Sequence, residues 1–349
     1  MGYKVGLLGV GPVGEHIIKV LKERNFPIDG QVVIMATSER DEVINGSVVH
    51  VQKVSEDIFK GLDLVFFAGK EGAKGASLQW ADVAVKQGCV VIDNGGDLRM
   101  YPNIPLVIPE INIDVVTKDT RLICNPNCST IQMAVALYPL HKAARLKRVV
   151  VSTYQSVSGH SGAGISQLEL ELKQAISNES FEEESVFSRP IAYNCIPHID
   201  RFDENGYTRE EIKMVNETRK IFKEPNLLIT ATTVRVPVLV GHSESINAEF
   251  MEPMRADKAL LILSQSPGVV CLDGIIKDSK TNDPFERNYP VATDLLKEEW
   301  KDAVLVGRIR DDMTVPNAIN LWCVSDNLRK GAATNAVQIA EGMLEMGLL

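Results

Sequence analysis

The first half of the chain alternates short apolar runs with amphipathic stretches. Apolar residues dominate residues 3–9 (YKVGLLG), 31–36 and 64–68, and runs of this length are typical of buried strands. Between them, residues 15–24 (EHIIKVLKER) and 75–87 have the apolar spacing of helices. Because strand and helix alternate, the pattern predicts a doubly wound parallel sheet with helices on both faces.

The pattern changes after about residue 148. Longer strands are predicted in VVVSTYQSV (149–157), LLITATTVRVPVLV (227–240) and SINAEFM (245–251), with longer insertions between them. This spacing predicts a mixed sheet with helices packed on it. The expected fold class is therefore α/β, with a parallel sheet first and an α+β domain second. We expect the second domain to carry the substrate site and an oligomer interface.

Composition narrows the classes of protein that fit. Of the 349 residues, 45% are hydrophobic and 24% are charged, enough for a substantial core in about two domains. The formal net charge of -9 opposes general attraction to nucleic acid or anionic membranes, so neither partner is expected. The longest apolar stretches, such as residues 62–68, are far shorter than a bilayer span. An anionic substrate must therefore be held by a few locally placed Arg or Lys residues.

The cysteines predict a reducing environment. All six are scattered without a C-x-x-C pair, and no secretory peptide precedes the first predicted strand. Free thiols in the cytoplasm are the expectation. Cys124 and Cys128 alone do not provide a metal site, so no metal is expected.

A glycine turn directly follows the first predicted strand. Gly9, Gly11 and Gly14 form the pattern G-x-G-x-x-G, with Pro12 and Val13 inside it and a helical stretch immediately after. Glycines allow the tight turn and let the backbone approach a pyrophosphate at the positive end of the helix. The pattern is also compatible with an ordinary strand-to-helix turn. Its place at the start of an alternating chain favours a Rossmann-type dinucleotide site.

The end of the second predicted strand is where such a fold reads the adenosine ribose. Thr37, Ser38 and Arg40 follow that strand, together with Glu39 and Asp41. Hydroxyls with a nearby Arg accommodate a 2′-phosphate, whereas an acidic residue at the strand end bonds the ribose hydroxyls. The sequence favours NADP and leaves NAD open.

Cys128 is the candidate nucleophile. It follows the polar turn at residues 125–127 (NPN) and precedes residues 129–140 (STIQMAVALYPL), which predict a helix. Free amides at the start of a helix stabilise a thiolate. A buried core cysteine is the usual alternative, but the flanking Asn residues favour the nucleophile.

Three charged residues are candidates for contacting a charged substrate. Arg99 follows the carboxyl end of a predicted strand, where open sheets bind ligands. Glu210 and Lys213 are three residues apart on a helix predicted over residues 208–221, and so share a face. The alternatives are a solvated charge for Arg99 and a surface ion pair for the helical residues.

Arg235 and His242 are candidates for one pocket. A strand is predicted over residues 229–240, with Arg235 inside it and His242 just beyond. Gly241 breaks the strand alternation, so both side chains can reach the same pocket. His198, in the segment IPHID, is the rival candidate for a general base.

Together these features resemble the aspartate-β-semialdehyde dehydrogenase family, of the type with an N-P-N-C-S-T nucleophile segment. The resemblance covers essentially the whole chain. The matching segments are residues 125–130, 154–159 (YQSVSG), 196–200 (IPHID), 235–243 (RVPV with GHS) and 325–333 (SDNLRKGAA). It implies NADPH-dependent reduction of L-4-aspartyl phosphate to L-aspartate 4-semialdehyde through a Cys thioester, in a cytoplasmic homodimer or homotetramer. It also implies a cofactor domain of residues 1–127 and 325–349, around a catalytic and dimerisation domain of residues 128–324.

The resemblance implies a role for each site residue. Cys128 is the nucleophile, His242 the general acid/base, and Gln155 a residue that orients the substrate. The implied substrate contacts are Arg235 to the α-carboxylate, Glu210 to the α-ammonium, and Arg99, Asn127 and Lys213 to the phosphate. The implied cofactor contacts are the turn from Gly9 to Gly14, Thr37, Ser38, Ser158, Gly159 and Asn327.

Two features depart from the family pattern, and two other functions stay open. The first glycine turn is one residue shorter than the usual G-x-x-G-x-x-G, and the Gly/Ala segment after Gly159 is extended over residues 160–164. The acidic run at residues 182–184 is also distinctive and fits a solvated loop. An N-acetyl-γ-glutamyl-phosphate reductase would use the same thioester logic. A catalytically silent nucleotide-binding paralogue is the other alternative, against which the presence of Cys128 and His242 argues.

Overall fold

The computed structural model describes residues 2–69, 72, 74–181, 185–275 and 287–349, so the acidic run at 182–184 lies outside the described residues. The chain divides into two compact units, Met1–Asn127 with Gly331–Leu349, and Cys128–Lys330. The α-helices are α1 (Pro12–Glu23), α2 (Ala76–Lys86), α3 (Pro109–Asn112), α4 (Cys128–Ala144), α5 (Ser161–Ile176), α6 (Arg209–Phe222), α7 (Ala256–Leu263) and α8 (Thr334–Glu345).

The first unit is built on one seven-stranded sheet. Its strands are β1 (Val5–Leu8), β2 (Val33–Ala36), β3 (Arg40–Ile44), β4 (Ser47–Lys53), β5 (Leu64–Phe67), β6 (Val90–Asp93) and β7 (Leu122–Cys124). The order is β3-β4-β2-β1-β5-β6-β7, and every neighbouring pair is parallel except β3 with β4. The predicted doubly wound parallel sheet is confirmed.

The hairpin of β3 and β4 was not predicted. Its turn is Asn45-Gly46, and both residues have positive φ, 50° and 78°. Asn-Gly is a strong signal for a tight hairpin turn, because both central residues of that turn need positive φ. The strands around it are mostly charged or polar and largely exposed, so no apolar alternation marked them.

Helices α1 and α8 bury one core of the first unit against the parallel strands. Leu7 of β1, Phe66 of β5 and Ile92 of β6 pack with Ile17 of α1 and Met343 of α8, all fully buried. Full burial of one such side chain contributes about 1.5–3 kcal/mol. The C-terminal helix is therefore an integral part of this core.

The second unit is built on a six-stranded mixed sheet. The strands of the whole unit are β8 (Leu146–Gln155), β9 (Leu228–Arg235), β10 (His242–Phe250), β11 (Val269–Cys271), β12 (Gly274–Ile275), β13 (Arg287–Asn288), β14 (Val304–Asp311) and β15 (Ala318–Ser325). The main sheet has the order β11-β14-β15-β10-β8-β9, with β12 and β13 forming a separate pair. β8 with β9 and β11 with β14 are parallel, and the other pairs are antiparallel. The predicted mixed sheet is confirmed.

Three boundaries differ from the sequence expectation. The strand predicted over residues 229–240 ends at Arg235, and His242 is itself the first residue of β10. Pro237 has no N–H to donate to a neighbouring strand, so residues 236–241 form the loop that connects β9 to β10. Residues 325–330, expected in the first domain, group with the second unit, where Arg329 forms a bidentate pair with Asp302.

Helix α4 is the central helix of the second unit. It is longer than predicted, and most of its residues are buried, with Pro139 inside it. Arg145, with φ of 46°, ends it. No helix among the described residues combines the length and apolar character needed to cross a membrane.

Candidate active site

The glycine turn of the first unit is closely packed. Gly9 has φ of 115°, and a Cβ there would lie 2.5 Å from the backbone of Ala68. A Cβ on Gly14 would lie 2.2 Å from the carbonyl oxygen of Gly9, so glycine is required at both positions. Gly11 instead faces open space as the N-cap of α1, with Pro12 at the first helical position. The start of α1 therefore fits an approaching pyrophosphate; Val13 packs on the core behind it.

Arg40 lies beside the hydroxyl-bearing residues at the end of β2. Its Nη1 donates to the carbonyl oxygen of Ser38 at 3.1 Å and to the Ser38 Oγ at 3.2 Å. Its Nη2 pairs with Glu42 at 2.7 Å. Thr37 and Ser38 are exposed. Hydroxyls and a guanidinium thus lie side by side, which fits a 2′-phosphate.

Glu39 and Asp41, the acidic residues that flank Arg40 in sequence, face a histidine. His50 of β4 lies 2.9 Å from Asp41 and 3.3 Å from Glu39. The hydrogen bond that the imidazole donates to Asp41, with smaller contributions from the charges of both carboxylates, raises the pKa of His50. These carboxylates are therefore partly neutralised when the imidazole is protonated.

Arg99 is fixed by its own loop. Its side chain is buried, and its Nη2 donates to the carbonyl oxygen of Asn94 at 2.7 Å. Asp93 organises the loop, because its Oδ1 accepts from Gly95 N at 2.8 Å and from Ser77 Oγ at 2.9 Å. Burial raises the pKa of Asp93 to about 6, against the opposing effect of these hydrogen bonds. Arg99 is thus not the freely solvated charge of the alternative interpretation.

Asn125 fixes the turn that leads to the nucleophile. Its backbone N donates to Asp93 O at 2.7 Å, and its Nδ2 donates to Asn94 Oδ1 at 3.0 Å. Its Oδ1 accepts from Asn335 Nδ2 at 2.6 Å. Asn127 is buried and is the last residue of the first unit before Cys128.

In the second unit, three strand ends bring distant residues together. Gln155 is the last residue of β8 and pairs in register with Arg235, the last residue of the parallel strand β9. The antiparallel strand β10 begins beside them with His242. All three side chains are buried. The register of β8, β9 and β10 therefore places Gln155, Arg235 and His242 at one edge of the sheet.

Arg235 is a buried cation with defined partners. Its Nη1 donates to the carbonyl oxygen of Ser156 at 2.7 Å. Burial lowers the pKa of its guanidinium, while the charges of Glu210 and Cys128 act in the opposite direction. The thiol of Cys128 is thus close enough for the guanidinium to favour its thiolate form.

Ser156 favours one tautomer of His242. The backbone N–H of Ser156 lies 3.1 Å from Nδ1 of His242, and because an N–H only donates, Nδ1 is the acceptor. The proton of the neutral ring therefore lies on Nε2. Burial, with the nearby charge of Arg235, holds the pKa of His242 well below its usual value. Nε2 has no hydrogen-bond partner among the described residues, so this N–H is available to a substrate.

Glu210 and Lys213 share one face of α6, as predicted, but not as a surface pair. Glu210 is buried, and its Oε1 accepts from Gln155 Nε2 at 3.2 Å. Lys213 Nζ lies 3.6 Å from Glu210 and 3.0 Å from Asp200. Burial favours the protonated acid of Asp200, but the Arg201 amide and Lys213 outweigh it and lower its pKa. The helix begins at a capping box of Thr208 and Glu211, which fixes where this face starts.

Cys128 is the first residue of α4 and is partly exposed. The first amides of this helix point toward its N-terminal end. Cys128 therefore combines access, a helix start and a nearby guanidinium, which are the conditions for a reactive thiolate. The alternative of a buried core cysteine does not hold.

Ser158, Gly159 and Asn327 lie in the same neighbourhood. The hydroxyls of Ser156 and Ser158 both donate to Asn327 Oδ1, at 3.0 and 3.1 Å, and Gly241 N donates to the same oxygen at 3.0 Å. The backbone of Gly159 packs directly on Arg235 and His242. Asn327 thus ties together the two segments that flank His242.

The structure also shows what sequence reasoning missed. His198, the rival base, stacks on Phe202 with ring centroids 4.4 Å apart. Ser156 was not predicted to have a role, although it directly follows Gln155 in the segment 154–159 that carries the family resemblance. Phe187 was also missed; its ring lies 6.0 Å from the guanidinium carbon of Arg235, and no local pattern connects two residues so far apart in sequence.

Known proteins match this chain along its length. The family model described as semialdehyde dehydrogenase, NAD binding domain, matches residues 4–118, and that described as semialdehyde dehydrogenase, dimerisation domain, matches residues 137–330. The aspartate-semialdehyde dehydrogenase of Aquifex aeolicus is 43% identical and covers 100% of both chains. Aspartate-semialdehyde dehydrogenase 2 of Vibrio cholerae is 43% identical over 97% of each chain. The crystal structure of aspartate semialdehyde dehydrogenase II from Vibrio cholerae matches with a TM-score of 0.88, 41% identity and 99% coverage of both chains.

Proposed function

Because the chain belongs to the aspartate-semialdehyde dehydrogenase family, we propose that it reduces L-4-aspartyl phosphate to L-aspartate 4-semialdehyde with NADPH, releasing phosphate. The reaction serves the biosynthesis of lysine through diaminopimelate, and of threonine, methionine and isoleucine. The convergence of Gln155, Arg235 and His242 in the second unit, with the charge of Cys128 acting on Arg235, carries this proposal. A Vibrio cholerae relative of known structure is described as complexed with ASA, which supports the same substrate.

Cys128 forms the covalent intermediate. Its thiolate attacks the β-carbonyl carbon of aspartyl phosphate, a C–S bond forms, and the C–O bond to phosphate breaks. The thioester divides one difficult reduction into two easier steps. The start of α4 and the guanidinium of Arg235 favour the thiolate that begins the first step.

His242 acts on the acyl oxygen. NADPH, when bound, supplies the hydride that reduces the thioester. The Nε2–H of His242 donates to the oxygen on which negative charge develops, and the collapse of the hemithioacetal returns the thiolate of Cys128. Acting as a base in the reverse direction requires the other tautomer, whose Nδ1–H can donate to the Ser156 hydroxyl 3.1 Å away.

The ends of the substrate need separate charged partners. Arg235 offers its N–H rim to the α-carboxylate and Glu210 accepts from the α-ammonium, while Gln155 orients the acyl group. Arg99, Asn127 and Lys213 hold the phosphate. The planar fork of Arg suits a carboxylate better than the point charge of Lys does.

NADP is the cofactor in this proposal. The turn Gly9–Gly14 takes the pyrophosphate, while Thr37, Ser38 and Arg40 take the 2′-phosphate. Ser158, Gly159 and Asn327 serve the nicotinamide end. The fit rests on the close packing at Gly9 and Gly14 and on the Arg40 contact with Ser38.

The assembly and location belong to the same proposal. A homodimer or homotetramer is supported by the match of residues 137–330 to a family model described as a dimerisation domain. A cytoplasmic location is supported by the cysteines, all six of which are free thiols.

The decisive experiment measures reduction of NADP by the purified protein with phosphate and either aspartate semialdehyde or N-acetylglutamate semialdehyde. Faster turnover of the aspartate compound is the expected result, and faster turnover of the other would contradict the proposal. Cys128→Ser should lose at least about a thousandfold in rate, because it removes the nucleophile. Cys195→Ser, at an exposed thiol, is the matched control and should keep full activity.

A further inference from the structure

The guanidinium of Arg235 lies over the ring of Phe187. The guanidinium carbon is 6.0 Å from the centroid of the ring. His160 packs on the same ring, with centroids 5.4 Å apart and planes tilted by 55°. Arg235 and His160 therefore both border this aromatic side chain.

The ring of Phe187 is anchored in a small apolar core. It packs against the cluster of buried residues Val157, Leu168, Ile191, Ala192 and Ile196. Gly164 leaves room for it, because a Cβ at residue 164 would lie 3.1 Å from the Cζ atom of Phe187. The extended Gly/Ala segment at residues 160–164 thus has a structural consequence, since its last glycine admits the ring.

A guanidinium has two faces and a rim of N–H groups, and the rim is what binds a carboxylate in plane. A cation positioned over the face of an aromatic ring is attracted to it. The rim of Arg235 is already oriented by the bond from Nη1 to the carbonyl oxygen of Ser156. The attraction to the ring adds a second restraint, so the guanidinium is held by two independent contacts.

We propose that Phe187 is a positioning residue for substrate recognition: its ring holds the Arg235 guanidinium in place so that the α-carboxylate is taken at the N–H rim. This inference rests on the proposed function. Phe187 acts through Arg235 and needs no contact with the reacting atoms. Its loss should therefore affect binding of the carboxylate more than the chemical steps.

The test compares Phe187→Leu with Phe181→Leu in the direction that consumes aspartate semialdehyde, phosphate and NADP. Phe181 packs against the same apolar cluster, so it matches the loss of packing without the guanidinium contact. Phe187→Leu should raise the KM for the semialdehyde about 3- to 20-fold. The KM values for phosphate and NADP, and kcat, should change less than about twofold, and Phe181→Leu should leave all of them near wild type.

A double-mutant cycle gives a second readout. In an Arg235→Lys background, Phe187→Leu should cause no further rise in the KM for the semialdehyde, because the planar partner is already gone. If Phe187→Leu folds poorly, Phe187→Met replaces it, because the flexible Met side chain fills the volume of the ring. Phe187→Met should then show the same selective rise in the KM for the semialdehyde.

The outcomes separate the inference from the function. A wild-type enzyme that turns over aspartate semialdehyde, with Phe187→Leu indistinguishable from Phe181→Leu, would overturn the inference alone. A parallel rise in all three KM values would overturn it too, because that indicates general loss of structure. A wild-type enzyme inactive on the semialdehyde would overturn the proposed function and this inference with it.

Discussion

The backbone of Gly159 lies directly against the side chain of Arg235. A Cβ at residue 159 would be 2.6 Å from the guanidinium Nη1, and 3.3 Å from Cε1 and Nε2 of His242. Real Cβ atoms essentially never come as close to another atom as the first of these distances. Arg235 and His242, with proposed roles in substrate binding and proton transfer, thus both border the position that a Cβ at residue 159 would occupy.

Gly159→Ala should therefore lower kcat/KM by about a hundredfold, because a displacement of catalytic groups by about 1 Å costs that much. The change is measured by steady-state kinetics, together with a thermal melt. Gly162→Ala is the matched control, since a Cβ at residue 162 meets open space in α5. That variant should keep its activity and gain slightly in stability. Equal losses in both variants would contradict the packing argument.

Arg235→Lys should impair substrate binding while sparing NADP. Lys is a point charge and cannot both reach the Ser156 carbonyl and present a fork to a carboxylate. We expect the KM for aspartate semialdehyde to rise about 10- to 100-fold, as for the loss of a charge-assisted pair. Fluorescence titration should give an unchanged Kd for NADPH, and an equal loss of NADPH affinity would argue against the assigned role.

Arg40→Ala should change cofactor preference. The guanidinium of Arg40 contacts the Ser38 hydroxyl, where the 2′-phosphate is proposed to bind. Because removal of the guanidinium removes a charge-assisted pair with this phosphate, the KM for NADP should rise about tenfold or more. The KM for NAD should stay within about twofold, because NAD has no 2′-phosphate. Arg24→Ala is a suitable control, since Arg24 forms a bidentate pair with Glu341 in the same unit. If Arg40→Ala weakens both cofactors equally, the 2′-phosphate assignment fails.

Glu244 should make the protein less stable as the pH rises. Its side chain is fully buried on β10 and accepts a hydrogen bond from Cys323 Sγ at 3.5 Å. Burial raises the pKa of Glu244 from 4.5 to about 8, although the hydrogen bonds with Gln132 and Cys323 lower it. Between pH 4.5 and 8 the unfolded chain is ionised at this residue while the folded protein keeps the proton. Folding then takes up a proton, so the free energy of unfolding falls with rising pH, by at most about 1.4 kcal/mol per unit.

Glu244→Gln carries no ionisable proton and should be more stable than the wild type at pH 8. This advantage should shrink as the pH is lowered toward 4.5, as measured by urea unfolding at several pH values. Glu249→Gln on the same strand is the control; it removes an ion pair with Lys147 and should cost less than about 1 kcal/mol. A Glu244→Gln stability curve parallel to that of the wild type would show that the buried carboxyl is not protonated.

Local features were predictable because their causes are local. The glycine turn, the helix after Cys128 and the helix face of Glu210 and Lys213 depend on residues within a few positions of each other. The Asn45-Gly46 hairpin had an equally local signal that was not used. In contrast, the end of β9 was misplaced, since its length depends on which neighbour supplies hydrogen bonds.

The sequence by itself determined the elements, the candidate nucleophile and the class of chemistry, because periodicity, turn residues and short segments express short-range physics. Only the tertiary structure decided that Gln155, Arg235 and His242 share one edge, since strand register joins residues up to 87 positions apart. It also decided the tautomer of His242, through the Ser156 amide, and the aromatic partner of Arg235. These relationships depend on long-range packing and hydrogen bonding, which no local pattern encodes.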